Sequence, residues 1–123
     1  MIKEIKFKKT IFGYLIKYKK EKGVNFLTPP KLSHQIASIR HPKNHKIKPH
    51  MHFKNVRKIS YTSEVLIIKK GKIRIDLYSN KQKYLFSKIL VKDDILILNK
   101  GAHGFKVLEP THMLEIKQGP YNK

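Results

Sequence analysis

Residues 63–80 read SEVLIIKKGKIRIDLYSN, and this stretch carries the clearest structural pattern in the chain. Two apolar runs rich in β-branched residues lie on either side of a short Lys-Lys-Gly-Lys sequence. Alternating runs of this length are typical of β-strands, and a glycine between two of them is typical of a hairpin turn. The stretch therefore predicts a β-hairpin that reverses direction at residues 69–72.

Similar short runs continue on both sides of this stretch. Short runs that alternate or are continuously apolar occupy residues 2–8, 11–19, 34–40, 83–91, 94–99, 104–109 and 113–118. No window shows the sustained period of 3.6 residues that would predict a helix. Residues 41–50, HPKNHKIKPH, contain two prolines and an asparagine and predict a loop. Short strands at such regular spacing predict an all-β antiparallel sandwich or barrel.

The length and composition bound the class of protein. A chain of 123 residues predicts a single domain with one hydrophobic core. It contains no cysteine, which excludes disulfides, thiolate metal sites and thiol nucleophiles. The first twenty residues are charged at almost every second or third position, and no apolar stretch approaches membrane-spanning length. These features predict a cytoplasmic protein without a membrane partner.

The formal net charge of +20 arises from 25 lysines and three arginines against eight acidic residues. A basic surface attracts phosphate groups with an affinity that falls with salt and ignores base sequence. The lysines are scattered, without a block of five or six, and arginine, the usual residue for bidentate phosphate and base contacts, is rare. We therefore predict no specific nucleic-acid binding, although the positive field should favour small anionic ligands.

A pair of histidines suggests a metal site. In KPHMHF, residues 48–53, His50 and His52 would share one face of a strand. Glu64 at the start of the next apolar run and His103 in the glycine-flanked NKGAHGF are further candidate ligands. Nitrogen and oxygen ligands without sulfur suit one divalent ion of Fe, Mn, Ni or Zn. The alternative is that each of these histidines is an ordinary residue of a polar strand.

The remaining histidines are interpreted as surface residues or as residues that contact the metal ligands and not the metal itself. They are His34, His41, His45 and His112. A separate site built from His41, His45 and His50 is a further possibility within the loop. The lysines between these three histidines disfavour it, because they would crowd positive charge around a cation.

The order of the candidate ligands resembles the first motif of the cupin superfamily, whose members are small jelly-roll β-barrels. That motif has a glycine, five residues, His-x-His, three or four residues, a glutamate, six residues and a glycine. Asn44, His50, His52, Glu64 and Gly71 follow the same order, with asparagine in place of the first glycine. Asparagine is a tolerable replacement because it also enters left-handed backbone conformations.

The second cupin motif is matched with more departures. It has a glycine, five residues, Pro-x-Gly, two residues and a histidine. Here Asp93 and Asn99 replace the first glycine and the proline, Gly101 is retained, and His103 follows it after one residue. The largest departure is an insertion, residues 53–63, between the two halves of the first motif, which must loop out of the barrel.

The resemblance covers about residues 34–118 and implies that residues 1–123 form one cupin domain with a jelly-roll barrel. It implies a metal ion held by three histidines and Glu64 inside that barrel. Glu64 would then point inward with Leu66 and Ile68, while Val65 and Ile67 would face the other side of the sheet.

The implied function is a metal-binding cupin that binds or acts on a small polar molecule, such as a sugar or sugar phosphate. The metal would serve as a Lewis acid in isomerisation or oxygenation, with Glu64 as general base and Tyr61 as acid. Arg57, Tyr61 and Lys117 are the predicted substrate-binding residues. The phrase TSEVLIIKKG, residues 62–71, together with the carboxyl-terminal segment EIKQGPY, is similar to a subgroup of small cupins associated with surface-polysaccharide synthesis.

Three alternatives differ in class from this one. The first is a non-catalytic cupin that binds or senses a ligand, because a fold does not fix a function. The second is a metal-free nucleotide-sugar epimerase, which would use a His-Asp dyad, but none of Asp76, Asp93 and Asp94 is evidently paired in the sequence. The third, nucleic-acid binding, rests on charge alone.

The amino-terminal residues 1–28 suggest a partner. The predicted strands 2–8 and 11–19 lie outside the resemblance and carry alternating isoleucine, phenylalanine, tyrosine and leucine. An exposed strand edge of this kind must be covered, and in small cupins a second subunit commonly covers it. We therefore expect a homodimer.

Overall fold

The computed structural model describes residues 1–121, which contain strands and no helix. The strands are β1 (Ile2–Phe7), β2 (Thr10–Ile16), β3 (Gly23–Phe26), β4 (Ala37–Arg40), β5 (Glu64–Tyr78), β6 (Tyr84–Val91), β7 (Ile95–Leu98) and β8 (Ala102–Lys117). Every strand pair is antiparallel. The prediction of an all-β antiparallel fold is confirmed. Over the described residues, the structure has no helix that is long and apolar enough to cross a membrane.

β5 is the central strand of the main sheet. Six strands form this sheet, in the order β1-β2-β7-β5-β6, with β8 also paired to β5. On one edge of β5, residues 64–67 pair with β7 and residues 72–78 pair with β6. On its other edge β8 follows it over nearly the whole length. β5 therefore joins two groups of strands that would otherwise be separate.

The hairpin predicted at residues 63–80 is wrong, because the chain continues through Gly71 as one long strand. Gly71 has a φ of 96°, and the register of β5 against β8 shifts on both sides of it. A hairpin would pair the two apolar runs with each other. Instead the first run pairs with β7 and the second with β6. The glycine bends the strand and does not reverse it.

This bend curls the sheet. His103 on β8 lies opposite Leu77, thirteen positions beyond Glu64 along β5. On a straight strand, Glu64 and Leu77 would be about 43 Å apart. The side chains of Glu64 and His103 nevertheless approach within 3.2 Å of each other. The two halves of β5 therefore face one another across a concave surface, and the sheet forms a half-barrel.

The concave face holds the main hydrophobic core. Five side chains of β5 are buried there, each at most 2% exposed: Leu66, Ile68, Ile73, Ile75 and Leu77. They pack with apolar side chains from the neighbouring strands: Ile5, Phe12, Leu15, Leu90, Leu96 and Leu98. Burial of one such side chain contributes about 1.5–3 kcal/mol. This cluster therefore holds the curled sheet together.

A smaller core lies on the convex face of the sheet. Its centre consists of four buried side chains: Ile16, Val65, Ile95 and Ile97. Residues 27–36, which join β3 to β4, cover this centre with apolar side chains. Because β7 and the first part of β5 are covered on both faces, the residues at the adjoining ends of these strands, near Glu64 and Leu98, are held in place.

Two of the three aspartates considered for a His-Asp dyad form ion pairs with basic side chains. Lys17 Nζ donates to both oxygens of Asp94, at 2.8 and 3.0 Å. Arg74 Nε donates to Asp76 Oδ1 at 2.8 Å, and this hydrogen bond is the main reason that the pKa of Asp76 is lowered. Both partners are basic side chains, so these contacts are structural ion pairs.

Candidate functional site

Glu64 and His103 meet on the concave face. Glu64 Oε2 lies 3.2 Å from His103 Nε2, and the two side chains are 19% and 26% exposed. The His103 ring also packs edge-on against Phe105, with ring centres 5.5 Å apart. Leu66 and Ile68 share the concave core, so the predicted inward orientation of Glu64 agrees with the strand alternation. The curled sheet therefore brings together one nitrogen and one oxygen donor.

Lys117 lies beside this pair. It is opposite Glu64 in the register of β8 against β5, so its side chain is on the same face of the sheet. Lys117 Nζ is 3.7 Å from Glu115 Oε2 and 5.6 Å from the centre of the Tyr121 ring. The interpretation that Glu115 and Lys117 share one face agrees with this register. The rim of the concave face therefore carries charges of both signs.

His50 and His52 lie elsewhere, in a segment from residue 41 to residue 63 without regular secondary structure. The strand expected at residues 50–53 is not formed, and both histidines are exposed. Their rings meet edge to face, with centres 5.4 Å apart. Within residues 1–121, no three histidine, aspartate or glutamate side chains are close enough together to hold a metal ion. The structure thus unites two of the four predicted ligands.

The segment that carries these histidines exposes unusually large apolar side chains. Met51 is 92% exposed, Phe53 is 99% exposed and Val56 is 89% exposed. Exposed apolar residues are normal when they are scattered singly, but three within six residues are a concentrated apolar surface. The segment therefore has an apolar side that is not packed against the sheet.

His41 and His45 form a separate contact. Their rings stack with centres 3.8 Å apart and planes inclined by 14°. The stack stands at a turn in which His45 N donates to Pro42 O at 3.2 Å. In the part of the chain that the structure describes, no third ligand joins this pair.

Arg57 and Tyr61, two of the predicted substrate-binding residues, line open cavities at one end of the sheet. Arg57 borders a cavity of about 480 Å³ together with Lys31 and Lys58. Tyr61, which is 68% exposed, borders a second cavity of about 210 Å³ that shares both lysines. The cavities therefore form a continuous basic surface.

A set of residues that the sequence analysis missed lies beside the smaller cavity, and two of them, Ser63 and Asn99, line it. Ser63 is only 4% exposed, and its Oγ donates to Asn99 Oδ1 at 2.7 Å. Its backbone N–H donates to Gln118 Oε1 at 2.7 Å, and His34 Nδ1 lies 3.3 Å from its hydroxyl. The available signal was that Ser63, Asn99 and Gln118 each stand at an end of a predicted strand segment.

The structure therefore has two groups of polar side chains near the start of β5 and the end of β8, one on each face of the sheet. Glu64, His103 and Lys117 lie on the concave side, and the residues around Ser63 lie on the convex side. Comparison of the chain with protein-family models, with curated proteins and with solved structures finds no match.

Proposed function

We propose that the chain is a cupin-type jelly-roll domain that binds one divalent metal ion and a small polar molecule. The convergence of Glu64 and His103 is the observation that carries the proposal. Thirteen positions of β5 separate Glu64 from the residue opposite His103, so only a strongly curled sheet brings these donors together. Nitrogen and oxygen donors of this kind suit Fe, Mn, Ni or Zn.

The residues fit a metal in part. Glu64 and His103 supply half of the proposed ligands, and His50 and His52 would supply the other half when their segment docks on the sheet. Eleven residues lie between His52 and Glu64, enough to span about 40 Å when extended, so chain length permits this approach. On a strand, the two histidines would face one side and Met51 the other, which would remove apolar surface from water.

The protonation of His50 also favours this role. Its Nδ1 lies 2.9 Å from Lys48 O. Because a carbonyl oxygen only accepts hydrogen bonds, Nδ1 is the donor in this contact, and in the neutral imidazole Nε2 then has the lone pair that a metal would use. A histidine whose other nitrogen donates to a backbone carbonyl is a common arrangement among metal ligands.

As an enzyme, the domain would use its own residues for binding and proton transfer. A bound metal would supply Lewis-acid chemistry suited to isomerisation or oxygenation. Glu64 would hold or accept a proton at its carboxylate. Tyr61 lies on the segment that would have to dock, and from the docked position it would donate a proton from its hydroxyl. Lys117 and Arg57 would attract an anionic or polyhydroxylated ligand, such as a sugar phosphate used in surface-polysaccharide metabolism.

Removal of two ligands should abolish metal binding. We expect wild-type protein to contain about one metal ion per chain, and the His50→Ala/His52→Ala variant to lose nearly all of it. The matched control is His41→Ala/His45→Ala, which removes two other histidines from the same segment and should leave metal content unchanged. Elemental analysis of purified proteins measures both.

The Glu64→Gln variant tests the fourth ligand separately. It should keep the fold and weaken metal affinity by at least about tenfold, since even loss of a hydrogen-bond partner behind a ligand costs that much. Equal metal content in wild type and the His50/His52 double variant would contradict the site. Unchanged affinity in Glu64→Gln alone would leave a site of three histidines.

We also propose that the protein forms a homodimer through β1. This strand stands at one end of the sheet order, and Ile2 and Phe7 are 37% and 39% exposed. Sedimentation at micromolar concentration should give twice the 14.5 kDa monomer mass. Ile2→Lys/Phe7→Lys should shift the protein to monomer, because charges on an edge oppose pairing. Val24→Lys, at an exposed position of β3, is the control, and a wild-type monomer would refute the dimer.

A further inference from the structure

Three polar residues form a row across adjacent strand ends. Glu64 on β5 pairs with both Leu98 on β7 and Lys117 on β8. The residues one position beyond these, Ser63, Asn99 and Gln118, are therefore also neighbours. Side chains alternate along a strand, so this row lies on the opposite side of the sheet from Glu64. It is therefore separate from the proposed metal site.

The hydrogen bonds in this row have a fixed direction at Gln118. The backbone N–H of Ser63 can only donate, so the Gln118 atom that it meets at 2.7 Å must be the acceptor Oε1. The Nε2 amide of Gln118 is then left over. It is buried and has no hydrogen-bond partner in residues 1–121. A buried donor without a partner costs free energy unless a ligand or water satisfies it.

The side chain of Ser63 extends the same pattern. Its Oγ donates to Asn99 Oδ1 at 2.7 Å, which leaves the Nδ2 amide of Asn99 as a donor. His34 Nδ1 lies 3.3 Å from the same Oγ, and must donate to it because the hydroxyl proton is already used. The acceptors of the row are thus satisfied by the protein, while its unused groups are N–H donors.

The cavity beside this row is basic and small. Ser63 and Asn99 line it together with Lys31, Lys58 and Lys100, and no carboxylate is among its lining residues within the described chain. Its volume is about 210 Å³. Pockets for drug-sized ligands are roughly 300–1,000 Å³, so this one suits a smaller group. Lysine ammonium groups and the Asn99 amide around such a volume match a compact oxyanion.

We propose that this cavity binds a phosphate-sized oxyanion, either free phosphate or the phosphate monoester of a small molecule. Ser63 and Asn99, which the hydrogen bonds of the row hold in place, line the cavity and leave the Asn99 Nδ2 amide as a donor, and the three lysines provide charge. The adjoining cavity of about 480 Å³, bordered by Arg57, leaves room for the rest of a monoester. Ser63 and Asn99 lie on the opposite side of the sheet from Glu64 and His103. Lys58 belongs to the segment that also carries His50 and His52, so docking of that segment on a metal would move one wall of this cavity.

The test is calorimetric titration with inorganic phosphate at constant ionic strength near 150 mM, where screening weakens diffuse attraction. Wild type should bind one phosphate saturably. Lys31→Gln/Lys100→Gln should weaken this affinity by about tenfold, and Asn99→Asp, which replaces a donor with a negative charge, by at least as much. The matched control is Lys69→Gln/Lys92→Gln, which removes the same charge from exposed lysines outside the cavity and should change affinity less than twofold.

The outcomes are separable from folding and from the metal proposal. Thermal melting without phosphate shows which variants fold. If Asn99→Asp does not fold, the phosphate affinity of Lys31→Gln/Lys100→Gln decides whether the site exists. His103→Ala should leave phosphate affinity unchanged. Equal weakening in both lysine double variants, or no saturation in wild type, would overturn the site. A hexose phosphate that binds more tightly than inorganic phosphate would identify the monoester as the ligand, and equal affinity would identify the free anion.

Discussion

Replacement of Gly71 by alanine is expected to destabilise the protein by about 3 kcal/mol or more. Gly71 has a φ of 96°, a conformation that L side chains rarely adopt. An added Cβ would lie 2.2 Å from Pro110 O and 2.7 Å from Thr111 Cα. These are backbone atoms of β8, so the strand itself would have to move. Denaturant unfolding should show a lower midpoint with an unchanged slope.

Gly23→Ala is the matched control for this prediction. Gly23 has a φ of 82°, but an added Cβ would meet nothing within 4 Å. Its substitution should therefore cost only the backbone strain, about 1–2 kcal/mol. The difference between the two variants measures the contact between the bend in β5 and β8. If the two substitutions cost the same, the bend is not packed against β8 as described.

The prediction also connects stability with the candidate site. Gly71 lies between the half of β5 that carries Glu64 and the half that lies opposite His103. A shift of β8 at this bend would change the separation of these two side chains, which depends on the curl of the sheet. We therefore expect a folded fraction of Gly71→Ala to bind metal more weakly than wild type.

Local patterning predicted the positions of most strands, since the order of apolar and polar residues is a property of neighbouring residues. It divided β8 (Ala102–Lys117) into two runs, at residues 104–109 and 113–118. It placed β6 at residues 83–91 where the structure has Tyr84–Val91, and β7 at residues 94–99 where the structure has Ile95–Leu98. The same patterning misjudged Gly71. A glycine between two apolar runs fits a turn or a bend equally well, and the choice depends on β6, β7 and β8 further along the chain.

The candidate site was predictable in the same partial way. The inward orientation of Glu64 followed from strand alternation with Leu66. Glu64 contacts His103, another of the four predicted ligands. The spacing of His50 and His52 gives them a common face only if their segment pairs with a strand edge. Pro49, directly before them, lacks the N–H that such pairing would use.

The row around Ser63 was not predictable from residue types. Serine, asparagine and glutamine are ordinary at the ends of strands, and their significance comes from register. Ser63 is 36 residues from Asn99 and 55 from Gln118 along the chain. Only the pairing of β5 with both β7 and β8 brings the three together.

Replacement of Lys17 by methionine is expected to cost about 2 kcal/mol of stability. The Asp94 carboxylate is only 5% exposed and accepts two hydrogen bonds from Lys17 Nζ. Without the lysine, the carboxylate keeps the bond from Val91 N, at 2.9 Å, but loses its counter-charge. Breaking a fully buried pair costs about 3–5 kcal/mol, and the 50% exposure of the Lys17 side chain lowers that figure here.

A control variant and a double-mutant cycle distinguish the contribution of the ion pair from the effect of losing a lysine. Lys19→Met, two residues further on at an exposed position, should change stability by less than about 0.5 kcal/mol. Asp94→Asn removes the charge, and in its background Lys17→Met should cost clearly less than in wild type. If Lys17→Met costs no more than Lys19→Met, the pair does not stabilise the fold. A large cost that persists in the Asp94→Asn background would instead assign the effect to the lysine's methylene packing between β2 and the β6–β7 turn.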